Sequence, residues 1–270
     1  MSTATSPTGS IPRQLQPKKE MSMIGKVEEY LKDKILANGS IHITLIDPEK
    51  VTPESASAIA RDAESCGTAA IMVGGSTFVL TNHLDRVVKA VKRTVKIPII
   101  LFPNNVSGIS RHADAIWFMS LLNSSDPYFL FGAQVLGAPL IKEFGLEAIP
   151  LGYIVVGEGG AVGVIGRVCA IPYNKPELAA AHALAAQYLG MRFVYLEAGS
   201  GAKQPVPNEM VKMARDILSV PLVVGGGIKT AKQAAELVEA GADIIVTGTV
   251  TEGLSVKRKL KELVEHIKNK

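Results

Sequence analysis

The chain has 270 residues, of which 47% are hydrophobic, and it carries a formal net charge of +4. This length is typical of one eight-stranded α/β barrel, and the apolar fraction supplies a large core. Aromatic residues make up only 5% and the basic residues are scattered, so a nucleic-acid-binding face is not expected. The modest positive charge favours anionic substrates.

The start of the chain differs in composition from the rest. Residues 1–20 are rich in Ser, Thr, Pro and Gln without an apolar signal-peptide core, which predicts a disordered tail before one domain over 21–270. No run of eighteen apolar residues occurs, so we expect no membrane span. Cys66 and Cys169 lack the spacing of a zinc site or disulfide scaffold, and we interpret them as core thiols of a cytoplasmic protein.

A helical stripe of apolar residues over 24–37 is expected to close the bottom of a barrel, and strand and helix patterns alternate after it. Strands are predicted near 41–46, 69–73, 97–102, 115–121, 149–155, 192–197, 220–224 and 243–247. Helices are predicted near 53–66, 81–94, 127–144, 175–190, 207–218, 230–240 and 253–268. Eight βα units whose strands are apolar on both faces favour a single-domain (β/α)8 TIM barrel of the α/β class over a doubly wound sheet.

The third βα unit is shorter than the others. Residues 103–114 contain proline, glycine and serine breakers and leave little room for a covering helix. A barrel that lacks one outer helix exposes an apolar flank, and such a flank usually binds something. A short helix or an ordered loop that fills the gap is the alternative.

Two strand ends carry polar groups that suit a metal. Asp47 follows the first strand and precedes Pro48, while the hydroxyls of Ser76 and Thr77 follow the second strand. A carboxylate beside hydroxyls, facing a phosphorylated substrate, is typical of Mg²⁺ held by few protein ligands. An Asp-Pro pair that only starts a turn is the alternative.

The sixth strand ends in Tyr195, Leu196 and Glu197. Alternation places Tyr195 and Glu197 on the same face of the strand. A carboxylate that faces the barrel interior is costly to bury, which favours a functional role over a structural ion pair.

Three late strands end in glycine. These motifs are Gly199-Ser200-Gly201, Gly225-Gly226-Gly227 and Gly248-Thr249. Glycines past strand ends let backbone N–H groups close on a phosphate, so their coincidence predicts a phosphorylated substrate. The middle triplet alone could be only a tight strand-to-helix connection. Arg167 and Lys229 are further candidate anion contacts.

Over about residues 40–255 the chain resembles the geranylgeranylglyceryl phosphate synthase family of prenyltransferases, barrels that make the first ether bond of archaeal lipids, more in its archaeal than its bacterial form. The motifs that carry the resemblance are Asp47-Pro48, Gly74-Gly75-Ser76-Thr77, Ser120-Leu121-Leu122-Asn123-Ser124, Tyr195 to Gly201, Gly225-Gly226-Gly227-Ile228 and Gly248-Thr249.

The resemblance implies transfer of a geranylgeranyl group from its diphosphate to the C3 hydroxyl of sn-glycerol 1-phosphate. It implies Mg²⁺ held by Asp47 and Ser76, and a homo-oligomer, either a dimer or a hexamer. The residues that it implies for glycerol phosphate are Tyr195, Leu196, Glu197, Ala198, Gly199, Ser200, Gly201, Gly225, Gly226, Gly248 and Thr249. The family often has asparagine where Thr249 stands, so a role for that side chain stays open. Glu197 is the expected base and Tyr195 is expected to orient the glycerol.

Other functions remain open on the residues alone. A sugar-phosphate isomerase could use Asp47 and Glu197 as its two acids, whereas an indole-glycerol-phosphate synthase would need a strand-end lysine that is absent here. A non-catalytic phosphate binder and a peripheral membrane contact for product release are further alternatives. The DDxxD pattern of chain-elongating prenyltransferases is absent, so elongation of the prenyl chain is not expected.

The single tryptophan suggests a limit on donor length. Alternation along the fourth strand places Trp117 on the same face as Asn123, six residues and about 20 Å deeper. That distance is comparable to an extended geranylgeranyl chain, so Trp117 is expected to close the end of the donor groove. An aromatic ring that only fills the barrel core is the alternative.

Overall fold

The computed structural model describes residues 24–75, 80–248 and 256–268. Eight parallel strands form a closed barrel in chain order. The strands are β1 Ile41–Ile46, β2 Ala70–Gly74, β3 Ile99–Phe102, β4 Ala115–Leu121, β5 Glu147–Val155, β6 Phe193–Glu197, β7 Leu222–Gly225 and β8 Ile244–Thr247. The predicted TIM barrel is confirmed, whereas the predicted tail over 1–20 lies outside the described residues.

Helices alternate with the strands and form the outer layer. They are α1 Lys26–Asn38, α2 Pro53–Ser65, α3 Thr81–Lys92, α4 Ala133–Phe144, α5 Gly160–Ile165, α6 Pro176–Tyr188, α7 Asn208–Ile217, α8 Ala231–Glu239 and α9 Val256–Lys268. Thr52 and Thr230 form capping boxes at the starts of α2 and α8. A π-helical turn over Tyr128–Gly132 precedes α4, and α5 is a helix that the sequence patterns do not predict.

Alternation along the strands divides the core into two parts. Inward side chains such as Ile43, Met72 and Trp117 fill the barrel interior. Outward side chains such as Ile46 and Val224 pack under the helices. Because all eight strands are parallel, their carboxyl ends meet at one rim, where the predicted site residues lie.

Helix α1 closes the opposite end of the barrel, as its apolar stripe predicts. The backbone N–H groups of Val27 and Glu28 each donate to the Glu147 carboxylate at 2.8 Å, which satisfies two of the unpaired donors at the start of the helix. Glu28 is fully buried and pairs with Arg192 and with Lys32, both at 2.7 Å. These contacts attach α1 to the starts of β5 and β6.

The third βα unit lacks an outer α-helix. Within residues 103–114 the structure has one 3-10 turn, Val106–Gly108, and no α-helix. The predicted reduced unit is therefore confirmed. No α-helix of this unit covers the barrel between α3 and α4, where the outward Phe118 of β4 is only partly buried.

The helices and the two cysteines bear on two further expectations from the sequence. No helix in the described part of the chain is long and apolar enough to cross a membrane. The interpretation of both cysteines as core thiols is wrong for Cys169, which is exposed, whereas Cys66 is partly buried. Cys169 lies in the connection between α5 and α6, where its backbone N–H donates to the carbonyl of Asn123 at 2.8 Å.

Replacement of Arg192 should destabilise the barrel through Glu28. In Arg192→Met the Glu28 carboxylate stays buried with only Lys32 as a cationic partner, so the free energy of unfolding should fall by about 3 kcal/mol. Chemical denaturation measures the change. The double variant Glu28→Leu with Arg192→Met should recover most of the loss, because the buried charge is removed together with its partner. Equal stabilities of Arg192→Met and the unsubstituted protein would contradict the role given to this pair.

Candidate active site

A cavity, here called the mouth cavity, opens at the carboxyl ends of the strands. It brings together the predicted Asp47, Tyr195 and Glu197, although they are separated by some 150 positions of sequence. The described wall residues that bear on chemistry are Asp47, Lys50, Tyr153, Tyr195, Glu197, Ser200, Gly226, Gly227, Ile228, Thr247 and Gly248. The wall thus combines two carboxylates, one lysine and the glycine ends of β7 and β8.

Other predicted residues lie beside this wall. Leu196 and Ala198 point outward into the apolar layer under the helices, so only their backbone faces the barrel mouth. Gly199 and Gly201 form the turn after β6 with φ of 103° and 74°. Ser76 and Thr249 lie outside the described residues, and their predicted roles stay predictions.

Glu197 is buried at the end of β6, with 6% of its surface exposed. Its Oε1 accepts a hydrogen bond from the backbone N–H of Gly199 at 2.7 Å, and the hydroxyl of Tyr195 donates to the same carboxylate. Burial raises the pKa of Glu197, and the two hydrogen bonds oppose that rise. Glu197 has no ion-pair partner among the described residues, which disfavours the structural alternative.

The glycines after β7 make room for the two polar side chains of β6. A Cβ atom at Gly225 would lie 2.2 Å from the Tyr195 hydroxyl oxygen. A Cβ atom at Gly226 would lie 2.2 Å from Glu197 Oε1, and Gly226 has φ of 81°. The triplet is therefore more than a tight connection, because it lets Tyr195 and Glu197 occupy the mouth.

Three aromatic rings form a cluster beneath Glu197. The ring centroids of Phe102, Tyr153 and Tyr195 lie 5.2–5.8 Å from one another. Burial, and then the nearby Glu197 carboxylate, raise the pKa values of Tyr153 and Tyr195 well above the ordinary range, so both phenols keep their protons. Sequence reasoning missed Phe102 and Tyr153, which alternation at the ends of β3 and β5 could have indicated.

Asp47 lies between the end of β1 and the 3-10 turn Pro48–Lys50. Its Oδ1 accepts from the backbone N–H of Glu49 at 3.1 Å, so the predicted turn role is present. A Cβ atom at Gly75 would lie 2.9 Å from the same oxygen, which places the end of β2 directly beside Asp47. The carboxylate thus belongs both to the turn and to the wall of the mouth cavity.

A second cavity, here called the apolar groove, lies over the gap in the third βα unit. The empty space between its lining residues is about 820 Å³, a volume that includes solvent at its open side. None of its described lining residues is charged. Trp117, Phe118 and Met119 of β4 line it together with Gly137 and Ile141 of α4.

The apolar groove and the mouth cavity adjoin. Gly75, Phe102, Tyr153 and Val162 line both of them. The groove therefore borders the cavity that contains Asp47 and Glu197. This adjacency is the main feature of the site that the sequence alone does not show.

Helix α5 lies where the two cavities meet and supplies Val162 to both. The loop after β4 holds this segment, because Asn123 Nδ2 donates to the carbonyls of Val155 at 2.8 Å and Cys169 at 3.1 Å. Ser124 Oγ donates to the carbonyl of Gly166 at 2.6 Å. Asn123 and Ser124, which belong to a motif of the family resemblance, therefore act on the loop after β5.

The two further anion contacts suggested by the sequence are not part of the mouth cavity. Arg167 lies 3.6 Å from the Asp126 carboxylate, and 72% of its side chain is exposed. Lys229 Nζ donates to the carbonyl of Lys203 at 3.2 Å. Each side chain contacts a neighbouring surface loop, so neither prediction is supported.

The sequence profile described as the PcrB family matches residues 32–267. The chain belongs to the PcrB family. It is 56% identical to the geranylgeranylglyceryl phosphate synthase of Thermofilum pendens over 230 residues, which are 85% of this chain and 90% of that protein. It is 54% identical to the enzyme of the same name from Pyrococcus abyssi over 252 residues, which are 92% of this chain and 100% of that protein.

A solved PcrB-like structure agrees with the fold described here. The (S)-3-O-geranylgeranylglyceryl phosphate synthase of Thermoplasma acidophilum, in complex with its substrate sn-glycerol-1-phosphate, is 41% identical with a TM-score of 0.86. The match covers 90% of this chain and 98% of that chain. The family resemblance that the motifs indicate is thus confirmed.

Substitution of Gly226 tests whether this position must be glycine in order to leave room for the Glu197 carboxylate. In Gly226→Ala the new Cβ atom collides with the Glu197 carboxylate, so turnover by this PcrB-family chain should fall by about tenfold or more. Gly190→Ala is the matched control, because Gly190 has φ of 86° and no atom within 4 Å of its Cβ position. Gly190→Ala should lose about 1–2 kcal/mol of stability from the left-handed backbone, and Gly226→Ala should lose more, because its Cβ atom also collides with Glu197 and with the backbone of Gly199. Equal activities of the two variants would contradict this account of Gly226.

Proposed function

We propose that this chain transfers a geranylgeranyl group from geranylgeranyl diphosphate to the C3 hydroxyl of sn-glycerol 1-phosphate. The adjacency of the mouth cavity and the uncharged apolar groove carries the proposal, because a phosphorylated acceptor and a long apolar donor must meet at one point. A sugar-phosphate isomerase has no use for such a groove. The names of the relatives and the glycerol phosphate bound to the Thermoplasma acidophilum enzyme add support.

The acceptor phosphate would bind at the glycine ends of the late strands. Ser200, Gly226, Gly227 and Gly248 line the mouth cavity there, and backbone N–H groups at such ends suit a phosphate. Glycerol phosphate held in this place has its hydroxyls toward the interior, near Tyr195. The protonated Tyr195 phenol would then orient the glycerol.

Glu197 would act as the base. The C3 oxygen attacks the first carbon of the donor, so a carbon–oxygen bond forms while the bond from that carbon to the diphosphate breaks. The hydroxyl proton passes to the Glu197 carboxylate, and diphosphate leaves with the bonding electron pair. The raised pKa of Glu197 suits this task, since a base works best when its pKa approaches the operating pH.

Asp47, with Ser76, would hold the predicted Mg²⁺. Asp47 lies in the wall of the mouth cavity, and Mg²⁺ usually keeps several waters and takes oxygens from a substrate phosphate, so few protein ligands would suffice. When bound, the ion supplies positive charge that stabilises the leaving diphosphate. Lys50, a cationic wall residue three positions after Asp47, adds charge of the same sign.

The remaining assignments rest mainly on the family resemblance. We propose a homo-oligomer, dimer or hexamer, that works in the cytoplasm. Exposed apolar side chains support an interface, since such patches commonly mark contact surfaces. They include Phe131, Val135 and Leu136 at α4 and Tyr188 and Leu189 at the end of α6, all more than 60% exposed.

A labelling experiment tests the proposed function. The purified chain is incubated with Mg²⁺, sn-glycerol 1-phosphate and radiolabelled geranylgeranyl diphosphate, and the organic extract is analysed by mass spectrometry. We expect a labelled glyceryl ether phosphate that forms only when the acceptor and Mg²⁺ are both present. A chain that forms no ether, or that isomerises a phosphosugar instead, would refute it.

Loss of the base should reduce turnover more than binding. Glu197→Gln keeps the size of the side chain but cannot accept the proton, so kcat should fall by about 10² or more with little change in the KM for glycerol phosphate. Glu158→Gln is the control, because Glu158 is an exposed acid nearby. In the unsubstituted chain, kcat/KM should fall with decreasing pH at a point above the ordinary glutamate pKa, since the protonated carboxyl cannot act as base. A change in KM alone would show that Glu197 only binds the acceptor.

The metal assignment predicts a specific loss. Asp47→Ala should abolish Mg²⁺-dependent turnover, and Asp47→Asn should raise the Mg²⁺ concentration needed for half-maximal activity, because a neutral amide binds the ion poorly. Circular dichroism checks that the fold is intact. Glu49→Ala, on the same 3-10 turn, is the control and should behave like the unsubstituted chain. Undiminished activity of Asp47→Ala at low Mg²⁺ would exclude the assignment.

Trp117 remains the predicted limit on donor length. It lines the apolar groove while most of its ring is buried against Met72 and Phe193, so core packing is part of its role. Trp117→Ala should admit longer polyprenyl diphosphates with little change in the KM for glycerol phosphate. Phe193→Ala is the control, because it removes the aromatic partner of Trp117 and Phe193 does not line the groove. Each of the two variants should lose about 3–5 kcal/mol of stability. Destabilisation of both variants with an unchanged donor preference would leave Trp117 as a core residue only.

A further inference from the structure

A cluster of buried polar side chains lies on the outer side of the barrel, where β1 pairs with β8. It consists of His42, Thr44, Thr68 and Thr247, each no more than 3% exposed. The layer around them is apolar. Buried polar groups are costly unless paired, and nothing in the proposed mechanism uses these four.

The hydrogen bonds of the cluster define the state of the His42 ring. Nδ1 lies 2.6 Å from Thr68 Oγ1, and Nε2 lies 2.9 Å from Thr247 Oγ1. The Thr68 hydroxyl also lies 3.1 Å from the His42 carbonyl oxygen and 3.1 Å from Thr44 Oγ1. Each ring nitrogen of His42 thus has a threonine hydroxyl as its hydrogen-bond partner, and the neutral ring donates through one nitrogen and accepts through the other.

His42 stays in this state at ordinary pH. Burial lowers the pKa of the ring to about 3, so the imidazole is neutral wherever the barrel is folded and active. Thr68 is itself held, because its backbone N–H donates to the carbonyl of Ala63 at 3.1 Å. The ring thus links the loop before β2 to the end of β8.

The link ends at the rim of the mouth cavity. Thr247 is the last residue of β8 and is followed by Gly248, and both line that cavity. Thr247 pairs with Thr44, and this is the last residue pair between β8 and β1. The hydrogen bond between His42 and Thr247 is a further contact that restrains the chain just before Gly248.

We propose that His42 is a positioning residue, which fixes Thr247 and thereby the backbone at Gly248 that holds the acceptor phosphate. The inference rests on the proposed function, since it deepens the assignment of the phosphate to the end of β8. Backbone donors serve an anion only when they are held to within about 0.5 Å of the productive geometry. A neutral ring that is hydrogen-bonded at both nitrogens supplies such a restraint without adding charge beside the phosphate.

Variants of Thr247 test the proposal with little change in volume. Thr247→Val removes the hydroxyl that is hydrogen-bonded to His42 Nε2. The KM for sn-glycerol 1-phosphate should therefore rise by about tenfold, which is the effect of one lost buried hydrogen bond. The KM for geranylgeranyl diphosphate and kcat at saturating acceptor should change less than about twofold, because Gly248 lies at the phosphate end. Thr247→Ser keeps the hydroxyl and should restore the acceptor KM.

Thr44→Val is the matched control. It removes a hydroxyl of the same cluster, 3.1 Å from Thr68 Oγ1, and leaves the bond between His42 and Thr247 intact. It should lower stability slightly and leave both KM values unchanged. His42→Leu should match Thr247→Val in acceptor KM, and the double variant should be no worse than either, because both act through one hydrogen bond.

The outcomes separate this inference from the proposed function. An unsubstituted chain that makes no ether with these substrates refutes the function itself. An active chain whose Thr247→Val variant keeps its acceptor KM overturns the positioning role, even if His42→Leu fails to fold. Equal increases in both KM values, or the same increase in Thr44→Val, would likewise overturn it and assign the cluster to stability alone.

Discussion

The buried carboxylate of Glu197 is the constraint on which the mouth of this barrel depends. Removal of a charge from water is costly unless hydrogen bonds replace the lost solvation. The Tyr195 hydroxyl and the Gly199 N–H provide those bonds, and the missing Cβ atom of Gly226 provides the space. The end of β6, the turn that follows it and the end of β7 are therefore shaped around one functional group.

The third βα unit, which lacks an outer α-helix, shapes the apolar part of the site as Glu197 shapes the polar part. No α-helix lies between α3 and α4, and the uncharged groove at this gap is where we propose that the prenyl chain binds. Asn123 and Ser124 hold α5 beside this groove, so Val162 separates the apolar compartment from the polar one while bordering both. A ligand in the groove completes the apolar packing and should stabilise the folded chain, as any ligand specific to the native state does.

Much of this arrangement follows from local patterns in the sequence. The alternation of βα units gives the barrel, and the breakers in 103–114 give the gap, because both are properties of neighbouring residues. The shared face of Tyr195 and Glu197 follows from strand alternation in the same way. The glycine ends of β6, β7 and β8 indicated the phosphate site because three motifs coincide.

The parts that the sequence did not predict depend on contacts across the barrel. Phe102 and Tyr153 join Tyr195 only when β3, β5 and β6 converge, and His42 reaches Thr247 only because β1 closes onto β8. The glycine-rich α5 has no helical signal of its own and is held by the loop after β4. Arg167 and Lys229 are basic residues that the sequence suggests as anion contacts. In the structure each side chain contacts a neighbouring surface loop instead, and a sequence pattern does not show in which direction such a side chain points.

The central claim is that the acceptor and the donor meet at Glu197 from two adjoining cavities. A crystal structure with sn-glycerol 1-phosphate and an unreactive thiolodiphosphate analogue of the donor tests it most directly. The account predicts phosphate at the glycine ends of the late strands, the prenyl chain in the groove beside β4, and the C3 hydroxyl within hydrogen-bonding distance of Glu197. A prenyl chain outside that groove, or a C3 hydroxyl beyond the reach of Glu197, would contradict the account.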